Sequence, residues 1–182
     1  MTFEDTRSYS DSLGARLQIA VDDKTLFKHI VNVPFADRLH VTTLDLGIIV
    51  LLLVNKNEGT IDRIALSNTE MANNTVKISD KPFKQIRIPV DHEVNILSKA
   101  IRTGRSQHTV DWEYLFTPSL SGESARFNQS AGGIGCSYVY PLKVRDGGAM
   151  IFSFYTPISN ISKEHTDFMK LYASAVTKAL AR

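Results

Sequence analysis

Cysteine is nearly absent from this chain, and long apolar runs are absent altogether. The 182 residues include one cysteine, Cys136, which excludes a disulfide within the chain and a cluster of thiolate metal ligands. The longest apolar run, residues 46–54, is far shorter than the roughly 20 residues of a membrane-spanning helix. It predicts a buried strand and no membrane insertion. The polar N-terminal residues contain no apolar core, so we expect no signal peptide and a cytoplasmic location.

Paired histidines and clustered basic residues are also lacking. None of the five histidines has another within four residues, the spacing of a metal-binding pair on a helix, so no metal site is expected. The net charge is only +2 and the 21 lysines and arginines are scattered, whereas a nucleic-acid surface concentrates them. We expect no nucleic-acid partner. With no linker or repeat, the chain is predicted to form one domain over residues 1–182, with a core over about 24–180 and flexible residues 1–11.

The strongest local signal is a segment of high β propensity, residues 136–156, which predicts an antiparallel hairpin. Two runs of β-branched and aromatic residues flank Asp146-Gly147, a pair that tolerates the positive φ angles of a type I′ turn. The second run is apolar on both parities. A strand of that kind belongs in the middle of a sheet that is covered on both faces.

Helical periodicity occurs in three places. Residues 12–33 predict two helical pieces, the second of which stops or kinks just before Pro34 because proline lacks a backbone N–H. Asp91 is a candidate cap for a middle helix that ends at Gly104. Ser162 is the predicted cap of the final helix, which has the clearest amphipathic pattern in the chain.

A second hairpin and two long connections complete the predicted order. Residues 46–68 predict two strands, of which the second lies nearer a sheet edge because polar residues interrupt it. Residues 69–83 and 113–134 are polar and irregular, and we interpret them as long connections. Connections of that length in a compact domain are usually functional or disordered.

Three segments, in this order and spacing, resemble the GAF domain family. They are AIRTGRSQHTVDW, GIGCSYVYPLKVRDGGAMIFSFYTP and ISKEHTDFMKLYASAVTKAL, similar to that family's middle helix with its short strand, its central hairpin and its closing helix. The resemblance implies an α+β, GAF-like (profilin-like) fold. It would have a twisted antiparallel sheet, the N- and C-terminal helices on one face, and a ligand pocket roofed by the long connections on the other. Gly135 and Cys136 depart from the residues that the family often has there, so no familiar ligand is carried over.

The resemblance implies a non-enzymatic sensory or regulatory domain that binds a small-molecule effector and forms a homodimer through its terminal helices. Members of the family bind various small molecules, and the resemblance leaves the cofactor of this chain unknown. Two other functions remain open: a degenerate module that only dimerises, and a redox-active domain that uses Cys136. The GAF-type methionine sulfoxide reductases need two cysteines, and GAF-type tetrapyrrole sensors commonly have a histidine beside the chromophore-bearing cysteine. Neither arrangement occurs in this sequence.

The candidate ligand-binding residues lie on the predicted short strand, the second connection and the central hairpin. The set is His108, Asp111, Trp112, Phe116, Phe127, Cys136 and Tyr138. The aromatic members could equally be core residues, and Cys136 could be a small buried hydrophobe. In a GAF-like arrangement these residues meet over the face opposite the terminal helices, around a cavity of at least about 300 Å³. No lysine or arginine lies between residues 106 and 125, which favours a small, flat or apolar effector over a polyphosphate.

Overall fold

Six strands form one antiparallel sheet in the part of the chain that the structure describes. The structure is a computed structural model, and it describes residues 14–17, 22–36 and 44–181. The strands are β1 (Leu46–Asn55), β2 (Thr60–Leu66), β3 (Arg87–Pro89), β4 (Gln107–Thr109), β5 (Cys136–Leu142) and β6 (Gly148–Phe154). Their order across the sheet is β3-β2-β1-β6-β5-β4. The predicted flexible residues 1–11 lie outside the described residues.

Six α-helices whose full extent lies within the described residues accompany this sheet. They are α1 (Asp23–Ala36), α2 (Glu70–Ile78), α3 (Ile96–Thr103), α4 (Glu113–Phe116), α5 (Gly122–Ala131) and α6 (Lys163–Leu180). Of the first predicted helical piece, residues 14–17 are described, and they are helical. No helix within the described ranges is long and apolar enough to cross a membrane.

The two most apolar strands occupy the centre of the sheet, as their sequences predict. β1 pairs with β6 through residues such as Val50 and Ile151, and every residue of β6 is buried. β2 lies next to the edge strand β3. Helices cover both faces of the sheet, so neither face of a central strand meets water and neither face needs polar side chains.

The β5–β6 hairpin is confirmed, but its turn is not of type I′. Gly147 donates its backbone N–H to the carbonyl of Val144 at 3.1 Å and has a φ of 94°. A type I′ turn needs two positive φ angles, whereas Asp146 does not have one. The positive angle therefore falls on the glycine alone.

Helices α1 and α6 lie on one face of the sheet, as the family resemblance implies. They share an apolar cluster with the β6 side chains Met150, Phe152 and Phe154. The predicted cap of α6 is confirmed: Ser162 and His165 form a reciprocal capping box. The imidazole Nε2 of His165 also lies 3.1 Å from the carbonyl oxygen of Leu44, which ties the start of α6 to the chain before β1.

The opposite face is covered by α2, α3, α4 and α5, and here two predictions are wrong. Residues 69–83 and 113–134 are not irregular connections, since they contain α2, α4 and α5. These helices are short and polar on their outer faces. They therefore contain too few regularly spaced apolar residues for the sequence to indicate a helix. Their caps stabilise them: the side chains of Thr69 and Ser121 accept hydrogen bonds from the backbone N–H groups of Ala72 and Ser124.

The N-cap of α3 also differs from the prediction, and of the two outcomes predicted at Pro34 in α1 a stop is excluded. Asn95, not Asp91, caps α3, with its side-chain oxygen accepting the N–H of Leu97 at 2.8 Å. Gly104 ends that helix at a φ of 64°, as predicted. Helix α1 does not stop before Pro34 but continues through it to Ala36.

Candidate functional site

A cavity lies between the sheet and the helices of the face opposite α1 and α6. Its floor is formed by β1 and β6 side chains, among them Ile48, Val50 and Ile151. Trp112, Leu115 and Phe116, from the α4 turn, form part of its roof. Its volume is about 40 Å³. This is well below the predicted 300 Å³, because α2, α4 and α5 pack where irregular connections were expected.

The mouth of the cavity is formed by the end of α2 and the segment that follows it. Val76 lines the cavity and is 37% exposed, and the exposed residue Lys81 lines it as well. The ring of Phe83 lies beside them. The exposed side of the cavity thus lies between an apolar side chain and a cation.

Arg63 is a buried cation that lines this cavity. Only 4% of its surface is exposed. Its guanidinium carbon lies 4.4 Å from the centre of the Phe116 ring and 5.8 Å from the centre of the Phe83 ring, where the π faces attract a positive charge. Among the described residues, its Nε and Nη2 atoms have no hydrogen-bond partner. Burial lowers the pKa of Arg63 to about 10, so the group remains protonated at neutral pH.

The other polar side chains in the cavity also offer donors. The hydroxyl of Ser79 is buried and has no partner among the described residues. Ser137 Oγ accepts the indole N–H of Trp112 at 2.9 Å and lies 2.7 Å from Ser153 Oγ. One of the two hydroxyl protons forms the hydrogen bond between Ser137 and Ser153. The other can be donated to an acceptor atom of a ligand. Ser153 lines the cavity.

No aspartate or glutamate is among the described residues that line the cavity. The lining combines apolar walls, one buried guanidinium and hydroxyl donors. Among these described residues the charge of Arg63 has no anion to balance it, and a buried charge without a partner is unfavourable. The cavity is suited chemically to a ligand that carries hydrogen-bond acceptors and negative charge.

The structure places two of the seven predicted site residues, Trp112 and Phe116, in the lining of this cavity. Asp111 instead lies at the surface, where its carboxylate pairs with Arg126 at 3.2 Å. Glu113 pairs with the same guanidinium. Phe127 is 62% exposed, so it does not fold over the cavity as predicted.

The remaining three predicted residues share the other face of the sheet. Cys136 belongs to the apolar cluster beneath α1 and α6, and Tyr138 packs against that cluster. His108 pairs with Tyr138 across β4 and β5, with ring centres 5.2 Å apart. Alternate residues of a strand point to opposite faces, so Ser137 faces the cavity while Cys136 and Tyr138 do not. The predicted meeting of Cys136 and Tyr138 with Trp112 over one cavity is wrong.

Cys136 is enclosed rather than reactive. Its side chain is fully buried, and Sγ lies 3.4 Å from the carbonyl oxygen of Thr156, to which it donates. Burial raises the pKa of the thiol to about 11, so the thiolate is scarce at neutral pH. The described residues also contain no group of three or more His, Cys, Asp or Glu side chains that could hold a metal ion.

The predicted site residues do not include Arg63, Ser79 and Ser153, which line the cavity. One signal was present: Arg63 stands between the apolar residues Ile61 and Ala65 on one parity of β2. A charged residue at a position that can be buried indicates either an ion pair or a ligand contact. The two serines give no comparable signal, because serine is common both in strands and at helix ends.

Comparison with solved structures identifies the fold as that of GAF domains. The GAF domain from an Acinetobacter phosphoenolpyruvate-protein phosphotransferase superposes with a TM-score of 0.64 at 8% identity, over 100% of this chain and 95% of that one. The phycocyanobilin-bound GAF domain from a cyanobacterial phytochrome gives 0.61 at 14% identity, over 97% and 93%. The reduced form of fRMsr from Staphylococcus aureus gives 0.59 at 9% identity, over 97% and 95%. No protein-family model and no curated protein matches the sequence.

Proposed function

We propose that this chain, which has the fold of GAF domains, is a non-enzymatic sensory or regulatory domain that binds a small effector. The effector site is the cavity between the sheet and helices α2, α4 and α5. The observation that carries the proposal is the lining of that cavity, in which apolar walls surround a few converging donors. Ligand sites typically have this composition, since apolar walls supply affinity and a few polar groups fix orientation.

The cavity must enlarge when it receives more than a very small molecule. Helix α2 is the element best suited to move. Its start is fixed to the sheet, because the hydroxyl of Thr69 donates to the carbonyl of Gly47 at 3.0 Å. Its last turn carries the exposed residues Val76 and Ile78, each 37% exposed, and makes the mouth. A displacement of that last turn would widen the cavity without breaking the sheet.

Occupancy would reach the terminal helices through β2. Arg63 faces the cavity, whereas its neighbour Ile64 packs against the cluster beneath α1 and α6. At the end of β2, the backbone N–H of Asn68 donates to the side chain of Asn32 in α1 at 2.7 Å. A shift of β2 around Arg63 would therefore move residues in contact with α1. The terminal helices are the proposed output of the domain.

The homodimer through the terminal helices remains part of this proposal, with its contact on the exposed face of α6. Phe168, Ala173, Val176 and Ala179 are buried against the protomer's own sheet and cannot contact a partner. Leu171 is 40% exposed on the outer face of α6. We place the proposed contact between copies at Leu171. The alternative function, a module that only dimerises, would use the same surface and leave the cavity empty.

The buried thiol argues against the redox alternative. A catalytic cysteine needs access to its substrate and a useful fraction of thiolate. Cys136 is fully buried and its pKa is raised to about 11. We therefore propose that Cys136 is a packing residue and that the domain performs no thiol chemistry.

The experiment that tests the effector site is a metabolite screen read by two signals. Trp112 is the single tryptophan of the chain and lines the cavity, so its fluorescence reports binding there. Thermal unfolding gives the second signal, because a ligand bound only by the folded state raises the melting temperature. Compounds that change both signals support the proposal. A broad screen without any such compound overturns it and leaves the dimerisation module.

A matched pair of variants locates the binding. Val76→Trp places a large side chain at the mouth of the cavity. Ile78→Trp is its control, because Ile78 is equally exposed on the same helix but does not line the cavity. We expect Val76→Trp to weaken binding of any compound found in the screen and Ile78→Trp to leave it unchanged. Equal effects of both variants would place the binding elsewhere.

A further inference from the structure

The unpaired edge of the Arg63 guanidinium defines the class of ligand that the cavity is built to take. This inference rests on the proposed effector site and names its chemistry. Nε and Nη2, the two atoms without partners, donate from the same edge of the guanidinium plane. That edge is the one that binds both oxygens of a carboxylate through two parallel hydrogen bonds. The Phe116 ring, 4.4 Å from the guanidinium carbon, restrains the plane.

The remaining donors favour an anion as well. Ser79 and the Ser137–Ser153 pair each have a hydroxyl proton to give, and Ser153 and Ser79 both line the cavity. A neutral ligand would leave the charge of Arg63 uncompensated. A polyphosphate would bring several charges to a site with one buried cation, since Lys81, the other cation in the lining, is exposed. One negative charge therefore matches the interior of the cavity.

The size of the cavity and its walls limit the rest of the ligand. A volume of about 40 Å³ corresponds to the space of roughly three water molecules. Ile48, Val50 and Ile151 supply an apolar floor beside Arg63. An inorganic oxyanion would leave that floor without contacts, whereas a short hydrocarbon chain would cover it.

We propose that the effector is a short-chain monocarboxylate, whose hydrocarbon part the cavity accommodates when the last turn of α2 moves outward. Its carboxylate binds Nε and Nη2 of Arg63, and its hydrocarbon part lies on the apolar floor. Ser153 donates a further hydrogen bond to a carboxylate oxygen. The Phe83 and Phe116 rings keep water away from the ion pair, which strengthens it.

Titrations with defined probes test this proposal. Sodium acetate, propionate and butyrate are compared with sodium nitrate, sodium chloride and the neutral isostere propionamide at constant ionic strength. Trp112 fluorescence and the melting temperature are recorded. We expect a saturable response to at least one carboxylate and none to propionamide or chloride. An equal response to propionamide, or a response to nitrate that exceeds all carboxylates, overturns the proposal.

Variants of Arg63 supply the second part of the test. Arg63→Met keeps the length and apolar contacts of the side chain but removes the charge. Its control is Arg105→Met, because Arg105 is an exposed arginine outside the cavity. We expect Arg63→Met to weaken carboxylate binding at least about tenfold while its melting temperature stays equal or rises, because a buried unpaired charge is removed. Binding retained in Arg63→Met, or lost equally in the control, overturns the proposal.

An observation on the unmodified protein covers the case in which Arg63→Met does not fold. The Nε–H resonance of Arg63 is followed by NMR while propionate is added, and it is assigned through its correlations to the backbone of the same residue. A saturable shift of that resonance supports the carboxylate contact, and an unchanged resonance at saturation overturns it. The two proposals fail differently. Binding of only neutral compounds at the cavity rejects the carboxylate and retains the effector site, whereas no binding of any compound rejects both.

Discussion

Tyr172 donates its hydroxyl to the backbone carbonyl of Ile30 at 2.6 Å, and Ile30 is the residue four positions before Pro34. In an uninterrupted helix that carbonyl would accept the N–H of residue 34, which proline lacks. The final helix thus supplies the donor that the first helix is missing. This contact explains why α1 continues through Pro34 to Ala36, and it fixes the two terminal helices to each other.

Removal of the Tyr172 hydroxyl should therefore destabilise the protein in a way that depends on Pro34. We expect Tyr172→Phe to lower the free energy of unfolding by about 1–2 kcal/mol, since it leaves a buried carbonyl without a donor. In a Pro34→Ala background the new N–H can bond to Ile30, so the same change should cost less. Urea denaturation of the four proteins gives the coupling energy. Additive effects of the two substitutions would contradict this account.

The turn between β5 and β6 offers a test of backbone strain. Gly147 has a φ of 94°, and a Cβ there would lie 3.3 Å from Cγ2 of Val54. Gly147→Val should lower the free energy of unfolding by on the order of 1–2 kcal/mol. Gly59→Val is the control, because Gly59 also has a positive φ but has no atom within 4 Å of its Cβ position. We expect a smaller loss there, and an unchanged melting temperature for Gly147→Val would show that the turn conformation is wrong.

The buried thiol should be inert at neutral pH and should affect stability in alkali. The pKa of Cys136 is raised from 9.0 to about 11 in the folded protein, so between these values the folded state holds more protons than the unfolded state. The stability contributed by the neutral thiol is complete below pH 9 and is lost as the pH rises through 11. Against Cys136→Ala, the native protein should lose about 1–2 kcal/mol over this range. Equal pH profiles for the two proteins would contradict the assignment.

The same residue gives a simpler chemical test. A thiol reagent should label Cys136 at neutral pH only as fast as the protein opens, since the side chain is fully buried. Urea should raise the labelling rate in step with the unfolded fraction. Rapid labelling of the native protein would reopen the redox alternative.

The proposed homodimer is tested by light scattering at high micromolar concentration. We expect twice the mass of the 20.3 kDa chain. Leu171→Glu should shift the protein to the monomer mass, because it places a charge at the proposed contact. Lys170→Glu is a control at the neighbouring exposed residue. A monomer mass for the unmodified protein rejects the dimer, and loss of the dimer in both variants would mean that charge alone determines association.

Much of the fold is determined by local sequence patterns. The β5–β6 hairpin follows from two apolar runs around Asp146-Gly147, and the central position of β6 follows from its lack of a polar face. The last helix follows from its apolar spacing and its Ser162 cap. These features are predictable because each depends on residues close together in the chain, whose propensities and periodicity act in the same direction.

The candidate site was decided by the tertiary structure. The alternation of residues along β5 predicts that Cys136 and Tyr138 face one side of the sheet and Ser137 the other. Both sets of residues are apolar enough to be buried, so the local sequence does not indicate which set faces the cavity. The cavity itself unites Arg63 of β2 with Phe116 of α4 and Ser153 of β6, residues far apart in the chain. Such contacts depend on how the sheet and its helices pack, because a short polar helix carries too little pattern to indicate what it covers.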